Sequence, residues 1–173
     1  MLFGAVAAYL LLSGVNAWLA ARPGAVGDHR LTLLVAVGIG LHNLGEGLAI
    51  GSAYAVGALA LGATLVIGFA VHNTTEGLAI VAPISRYRVR PGPLLVLGLI
   101  AGGPAILGAW LGAAAVQPAL GALMLGLGVG AIAQVIVQLV PSMRDRGGRV
   151  LHPRGIAGIL AGMILMYATG LLS

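Results

Sequence analysis

The stretch that decides the fold is "PGPLLVLGLIAGGPAILGAWLGAAAVQPALGALMLGLGVGAIAQVIVQLVPSM", residues 91–143, in which no residue carries a charge. A transmembrane helix needs only about 20 apolar residues to cross the hydrocarbon core of a bilayer. The stretch is therefore too long for one crossing. We predict that it folds back at Val116-Gln117-Pro118, because a proline there interrupts the apolar run. It thus supplies two adjacent membrane-spanning helices.

The composition of the whole chain agrees with a membrane protein. Hydrophobic residues make up 60% of the sequence and charged residues 8%, against about 25% in soluble domains, and the mean hydropathy is +1.07. We predict six transmembrane helices, near residues 1–20, 32–56, 62–83, 93–114, 118–140 and 155–172, with Gly57 and Gly62 marking the break between the second and the third. The fold class is therefore all-α, a polytopic membrane helix bundle that forms a single domain over residues 1–173.

Arginine alone supplies the nine basic residues, and its positions predict the topology. The arginines occupy three of the five connections between spans: Arg22 and Arg30 the first, Arg86, Arg88 and Arg90 the third, and Arg144, Arg146, Arg149 and Arg154 the fifth. Because alternate connections share one side of the membrane, the positive-inside rule assigns all nine to the cytoplasm. Both termini are then expected outside, in the plasma membrane of a bacterium or archaeon. We expect the lipid bilayer, and no nucleic acid, as a partner.

A polar triplet occurs twice inside the predicted spans. "HNLGEG" occupies residues 42–47 and "HNTTEG" residues 72–77, so histidine, asparagine and glutamate recur at positions i, i+1 and i+4. On a helix these positions lie within an arc of about 100°, and each span presents one polar stripe near the bilayer centre. Glu46 and Glu76 are the only glutamates in the chain. An acidic residue at that depth costs about 2.5–3.5 kcal/mol, so the repeat needs an explanation that offsets this cost.

Two explanations fit the repeat. Buried glutamates can join helices through hydrogen bonds. Alternatively, a histidine and a glutamate one turn apart direct an imidazole nitrogen and a carboxylate to the same point, as in helical zinc sites. Two such helices supply four ligands: His42, Glu46, His72 and Glu76. Packing alone explains neither the duplicated spacing nor the matched depth, so we favour a divalent-metal site. The chain has no cysteine, which excludes thiolate ligands.

The paired motifs on adjacent spans resemble those of the ZIP (Zrt/Irt-like protein) family of divalent metal transporters, in which such motifs on the fourth and fifth helices form a midplane metal site. "GLIAGGPAILGAWLG" and "IAQVIVQLVP" are similar to the family's sixth and seventh helices. The resemblance implies primary ligands and two neighbours on the transport path: His42, Glu46, His72 and Glu76, with Asn43 and Asn73. It also implies eight spans, so the first two helices of the family pattern are expected to be missing before Met1.

The predicted function is that of a solute carrier and not of an enzyme. The substrate would be a divalent ion moving into the cytoplasm, with Zn²⁺ first and Fe²⁺, Mn²⁺ and Cd²⁺ as alternatives, because imidazole and carboxylate ligands suit these ions. No organic cofactor is expected. We expect one ion, because the span at 93–114 has no acid to balance a second. A homodimer is compatible with this prediction.

Two rival functions remain open. An intramembrane zinc hydrolase would also bury histidine and glutamate on helices, but it would need an open coordination position and a separate general base. A chain without the first two family helices could instead be a non-transporting fragment or a structural subunit. Among the other polar residues, Gln134 and Gln138 are weaker path candidates, for which interhelical hydrogen bonding is the favoured role. His29 and His152 are predicted in solvated loops.

Overall fold

Six α-helices contain most of the residues that the structure, a computed structural model, describes: residues 1–21, 27–114, 117–145 and 147–170. The helices are α1 (Leu2–Ala20), α2 (Gly27–Ala55), α3 (Leu59–Val81), α4 (Pro91–Ala114), α5 (Pro118–Leu139) and α6 (Pro153–Gly170). Short 3-10 turns at Ala82–Ile84 and Val140–Met143 extend α3 and α5, and these ranges contain no strand. The first five helices are long and apolar enough to cross a membrane, and α6 has a shorter apolar stretch, Pro153–Ala168. The predicted all-α membrane bundle is confirmed.

The α2 helix begins earlier than the sequence predicts. The second span is predicted from residue 32, whereas the helix starts at Gly27 and places Asp28 in its first turn. An acid there suits the positive end of the helix dipole, and Arg86 and Tyr87 bind its carboxylate. The prediction of His29 as a loop residue is therefore wrong, because it is helical and its ring stacks on Tyr87 at a centroid distance of 5.3 Å.

The turns between helices agree only partly with the prediction. Gly57 lies between α2 and α3 at φ +77°, a conformation that favours glycine, so the predicted break there is confirmed. The prediction that Gly62 marks the break is wrong, because Gly62 lies within α3, where it leaves room for the ring of Tyr54. The predicted fold-back between the fourth and fifth spans is also confirmed, since α4 ends at Ala114 and α5 starts at Pro118. Val116 lies outside the described residues.

The centre of the bundle is α2, which packs against α3, α4 and α5. Glycines make its contact with α4 unusually close. Gly47 lies directly against the backbone carbonyl of Ala105, and Gly108 of α4 lies against the carbonyl of Leu44. A Cβ atom at either glycine would clash with backbone of the facing helix. Small residues permit this approach in lipid, where no hydrophobic force drives helices together.

The outer helices bury much less of their surface. α1 packs against α5, with Gly126 and Gly130 against the backbone of Met1 and Ala5. No residue of α6 whose side chain is described is buried. Large apolar residues such as Leu160 are exposed on it, as expected for a surface that faces acyl chains. The bundle therefore places α2, with the first polar triplet, at its interior.

One end of the bundle carries the arginine-bearing connections. Asp28 at the start of α2 pairs with Arg86 beyond α3, which brings the first and third connections together. A cavity at the same end is lined by Asp28 and Arg30 together with Pro141 and Ser142 after α5. The described residues of the three connections, among which Arg22 and Arg146 are not included, therefore meet at one end, as the alternating topology requires. The assignment of that end to the cytoplasm stays a prediction.

Candidate metal centre

The two polar triplets face each other across the α2–α3 contact. The helices are antiparallel and joined by the tight turn at Gly57. Such a hairpin brings residues at similar distances from the turn to the same depth. His42 and Glu46 lie one helical turn apart on α2, as His72 and Glu76 do on α3. The duplicated spacing in the sequence thus becomes one cluster in the fold.

Three of the four predicted ligands lie close together. The Nε2 atom of His72 is 2.6 Å from Oε1 of Glu46, and Nε2 of His42 is 3.2 Å from the same oxygen. The potential ligand atoms of these three residues all lie within 4.8 Å of one another. Glu46 is therefore the central residue of the cluster, because its carboxylate faces both imidazoles.

The fourth predicted ligand lies beside this group of three. Oε1 of Glu76 is 3.9 Å from Nε2 of His42, and Glu76 is not part of the group of three whose ligand atoms all lie within 4.8 Å of one another. Each glutamate keeps one buried oxygen, Oε2, without a hydrogen-bond partner among the described residues. Both carboxylates thus have unused acceptor capacity directed into the protein.

Three contacts within the cluster lie close to the spacing of zinc ligands. Zinc binds imidazole nitrogen and carboxylate oxygen at about 2.0–2.2 Å, which places neighbouring atoms of a tetrahedron about 3.3–3.5 Å apart. The distance from His42 to Glu46 is 3.2 Å, that from His72 to Glu46 is 2.6 Å, and that from His42 to Glu76 is 3.9 Å. Shifts of under about 1 Å would bring all of them to the zinc range. The imidazole nitrogens and carboxylate oxygens of the cluster are also ligand types that zinc binds.

Burial increases the affinity that such a cluster can have. The Glu46 side chain is 8% exposed and that of His72 is 16%, whereas His42 is 29% exposed. Charges interact more strongly where water is excluded. Glu46 is thus the innermost ligand and His42 the most accessible one.

The two asparagines of the repeat have different surroundings. Asn43 is buried, and its Nδ2 donates a hydrogen bond of 3.0 Å to the backbone carbonyl of Ala101 on α4. Within the described part of the chain, Asn73 makes no such bond. The side-chain oxygens of both asparagines are buried and have no partner among the residues that the structure describes. Asn43 therefore fixes the α2 triplet to α4, while both amide oxygens remain available as neutral acceptors or ligands.

Gln134 and Gln138 lie apart from the ligand cluster. They line a cavity of about 460 Å³ at the arginine-bearing end, together with Asn16 and Asp28. Their Oε1 atoms are buried and have no partner in the described part of the chain. The favoured interhelical hydrogen bonds are therefore not observed for these oxygens. The cavity places polar groups between the bundle interior and that end.

Three residues near the cluster were not identified from the sequence. Phe69 meets the His72 ring edge-on at a centroid distance of 5.3 Å, and Thr75 donates a 2.6 Å hydrogen bond to the His72 carbonyl. Gly128 of α5 faces His42, where a Cβ atom would lie 3.2 Å from Nδ1. The spacing of Phe69 one turn before His72 could have indicated the first contact. Gly128 is distant in sequence, and no local pattern indicates it.

Comparison of the chain with models of known protein families, with curated proteins and with solved structures finds no match. The fold and the site therefore define the general class of protein and no particular family. The chain is a helical membrane protein with a partly buried His/Glu group that could hold a metal ion.

Proposed function

We propose that the protein is a transmembrane transporter of divalent metal ions, with Zn²⁺ as its first candidate substrate. The observation that carries this proposal is the convergence of His42, Glu46 and His72 from two membrane-spanning helices. Placing ionisable side chains from two helices around one carboxylate inside the membrane is unusual, because each such side chain costs free energy there. An ion would offset that cost, and a helix contact alone would not require the second triplet.

Charge balance supports a transported ion. Two carboxylates supply −2 against the +2 of the ion, so the loaded site is close to neutral in a low-dielectric surrounding. Without the ion, no metal charge balances the two carboxylates, and this favours the binding of another ion. His42 is the most exposed ligand, and we assign it the first contact with an entering ion.

The ligand types narrow the substrate. Imidazole and carboxylate suit Zn²⁺, Fe²⁺, Mn²⁺ and Cd²⁺, whereas the absence of cysteine disfavours Cu⁺. We assign the arginine-bearing end to the cytoplasm and the direction of transport to inward. Gln134 and Gln138, in the cavity at that end, would then contact an ion on its way out of the site.

The test uses the purified chain in liposomes and two readouts. Wild-type protein should bind Zn²⁺ in calorimetry and admit it to vesicles loaded with a zinc-sensitive dye. Glu46→Gln/Glu76→Gln should weaken binding by at least about 100-fold, since even changes that only reorient a ligand cost about 10–100-fold. Asp145→Asn is the matched control, because it removes an acid from a connection outside the bundle interior. Equal binding by the double variant and the control would refute the site, and binding without flux would refute transport.

One observation supports a second candidate function, a metal-dependent intramembrane hydrolase. A trio of two histidines and one glutamate leaves a coordination position open for water, and Glu76 beside it could act as general base. Glu76→Gln separates the two proposals. In a hydrolase it should leave zinc affinity nearly unchanged and abolish cleavage of a transmembrane peptide, whereas in a transporter it should weaken zinc binding.

A further inference from the structure

A second site lies outside the metal centre. An open groove of about 890 Å³ runs between the N-terminal halves of α2 and α4, within the range of about 300–1,000 Å³ that is typical of sites for organic ligands. Thr32 and Leu33 form one wall, and Val96, Leu97 and Ile100 form the other. None of the predicted metal ligands lines it.

The mouth of the groove is basic. Arg88 and Arg90, in the connection just before α4, line it and are exposed. Neither has an ion-pair partner among the residues with described positions. The nearby acid Asp28 is already paired with Arg86, and no acidic residue lines the groove itself. Two positive charges are therefore available to an anion at the membrane surface.

An unpartnered hydroxyl lies about one helical turn below the mouth. Thr32 is 2% exposed and lines the groove, and its Oγ1 has no hydrogen-bond partner in the described ranges. A buried hydroxyl without a partner costs free energy. A ligand with an acceptor at this depth would remove that cost, and the ester carbonyl of a phospholipid lies just below its phosphate.

The deeper part of the groove is apolar. Pro93, Val96, Leu97 and Ile100 recur at helical spacing along one face of α4. From Pro93 to Ile100 the helix rises about 10 Å, at about 1.5 Å per residue. One leaflet contributes about 15 Å to the hydrocarbon core, so the apolar wall covers much of the length of an acyl chain.

We propose that this groove binds an anionic phospholipid. Its phosphate lies between Arg88 and Arg90, an ester carbonyl accepts a hydrogen bond from Thr32, and an acyl chain packs against Val96 and Ile100. The three features follow one another in the depth order of a phospholipid. A soluble phosphate compound would use the arginines alone. Basic pockets between transmembrane helices are typical binding places for anionic headgroups.

The test measures lipid retained by the full chain. Protein is reconstituted in nanodiscs of phosphatidylglycerol and phosphatidylcholine, and the bound lipid is counted by native mass spectrometry after transfer to detergent. Wild-type protein should retain phosphatidylglycerol selectively. Arg88→Gln/Arg90→Gln should weaken this retention by roughly 10- to 50-fold, since each basic residue near the headgroups contributes to the attraction. Arg144→Gln/Arg154→Gln removes the same charge from another connection and should have little effect.

A second pair of variants tests the acyl part of the site. Val96→Trp fills the groove and should lower lipid retention while leaving both arginines in place. Leu95→Trp is the control, because Leu95 is exposed on α4 but does not line the groove. Selectivity that survives both Val96→Trp and the loss of Arg88 and Arg90 would overturn the proposal. Displacement of the bound species by inorganic phosphate would assign the site to a soluble anion and would also overturn it.

Discussion

The Nε2 atom of His72 on α3 lies 2.6 Å from Oε1 of Glu46 on α2. The shortest polar contact of the cluster therefore joins the histidine of one motif to the glutamate of the other. The i, i+4 pairing within α2, between His42 and Glu46, is longer at 3.2 Å. The two repeats are thus joined most closely through the Glu46 carboxylate, whereas Glu76 makes only a 3.9 Å contact with His42, and the roles of the two glutamates are not equivalent.

This coupling predicts unequal effects of the two glutamates. Glu46→Gln should weaken Zn²⁺ binding by about 100-fold and Glu76→Gln by about 10-fold, because only Glu46 contacts both imidazoles. Isothermal titration of the purified variants measures both affinities. Equal losses at the two positions would show that the ion is held symmetrically by all four residues.

Zinc binding should depend on pH with a definite sign. A protonated imidazole cannot ligate a metal, so the affinity should be highest at neutral to alkaline pH and should fall as the solution becomes acidic. Binding titrations between about pH 8 and pH 5 measure this. An affinity that stays flat over that range would exclude His42 and His72 as ligands.

The membrane interior should hold one ion. The two glutamates supply −2, which cannot balance the +4 of two divalent ions where the dielectric constant is low. No acidic residue occurs between Pro91 and Met143 to supply more. Anomalous scattering from zinc-soaked crystals should give one midplane peak per chain, and two well-occupied peaks would contradict the charge argument.

The equivalent glycines of the two motifs should respond differently to alanine. At Gly47 a Cβ atom would clash with the Ala105 backbone of α4, whereas at Gly77 nothing lies within 4 Å. We expect Gly47→Ala to lower the free energy of unfolding by about 1–3 kcal/mol. Gly77→Ala should be neutral or stabilising by up to about 1 kcal/mol. Thermal unfolding in detergent compares the two, and similar shifts would contradict the close α2–α4 contact.

The sequence predicts the parts of this structure that depend on local pattern. Apolar length identifies the spans, and the i, i+4 spacing places His42 and Glu46 on one face of α2. The pairing of His72 with Glu46 could not be predicted, because it depends on the rotation of α3 relative to α2. The early start of α2 also depends on a partner distant in sequence, Arg86 for Asp28, and the position of Gly62 depends on how the Tyr54 ring packs across the turn between α2 and α3.

The glycine contacts between α2 and α4 have a mechanical consequence. Backbone lies against backbone at Gly47 and Gly108, and Asn43 is bonded to the Ala101 carbonyl. Sliding one helix past the other would drive Cβ atoms into carbonyls, so we expect α2 and α4 to move as one rigid body. Any alternation of access must then occur at the surfaces of this pair towards α3 or α5. A lipid in the groove between the same two helices would travel with them as part of that rigid body.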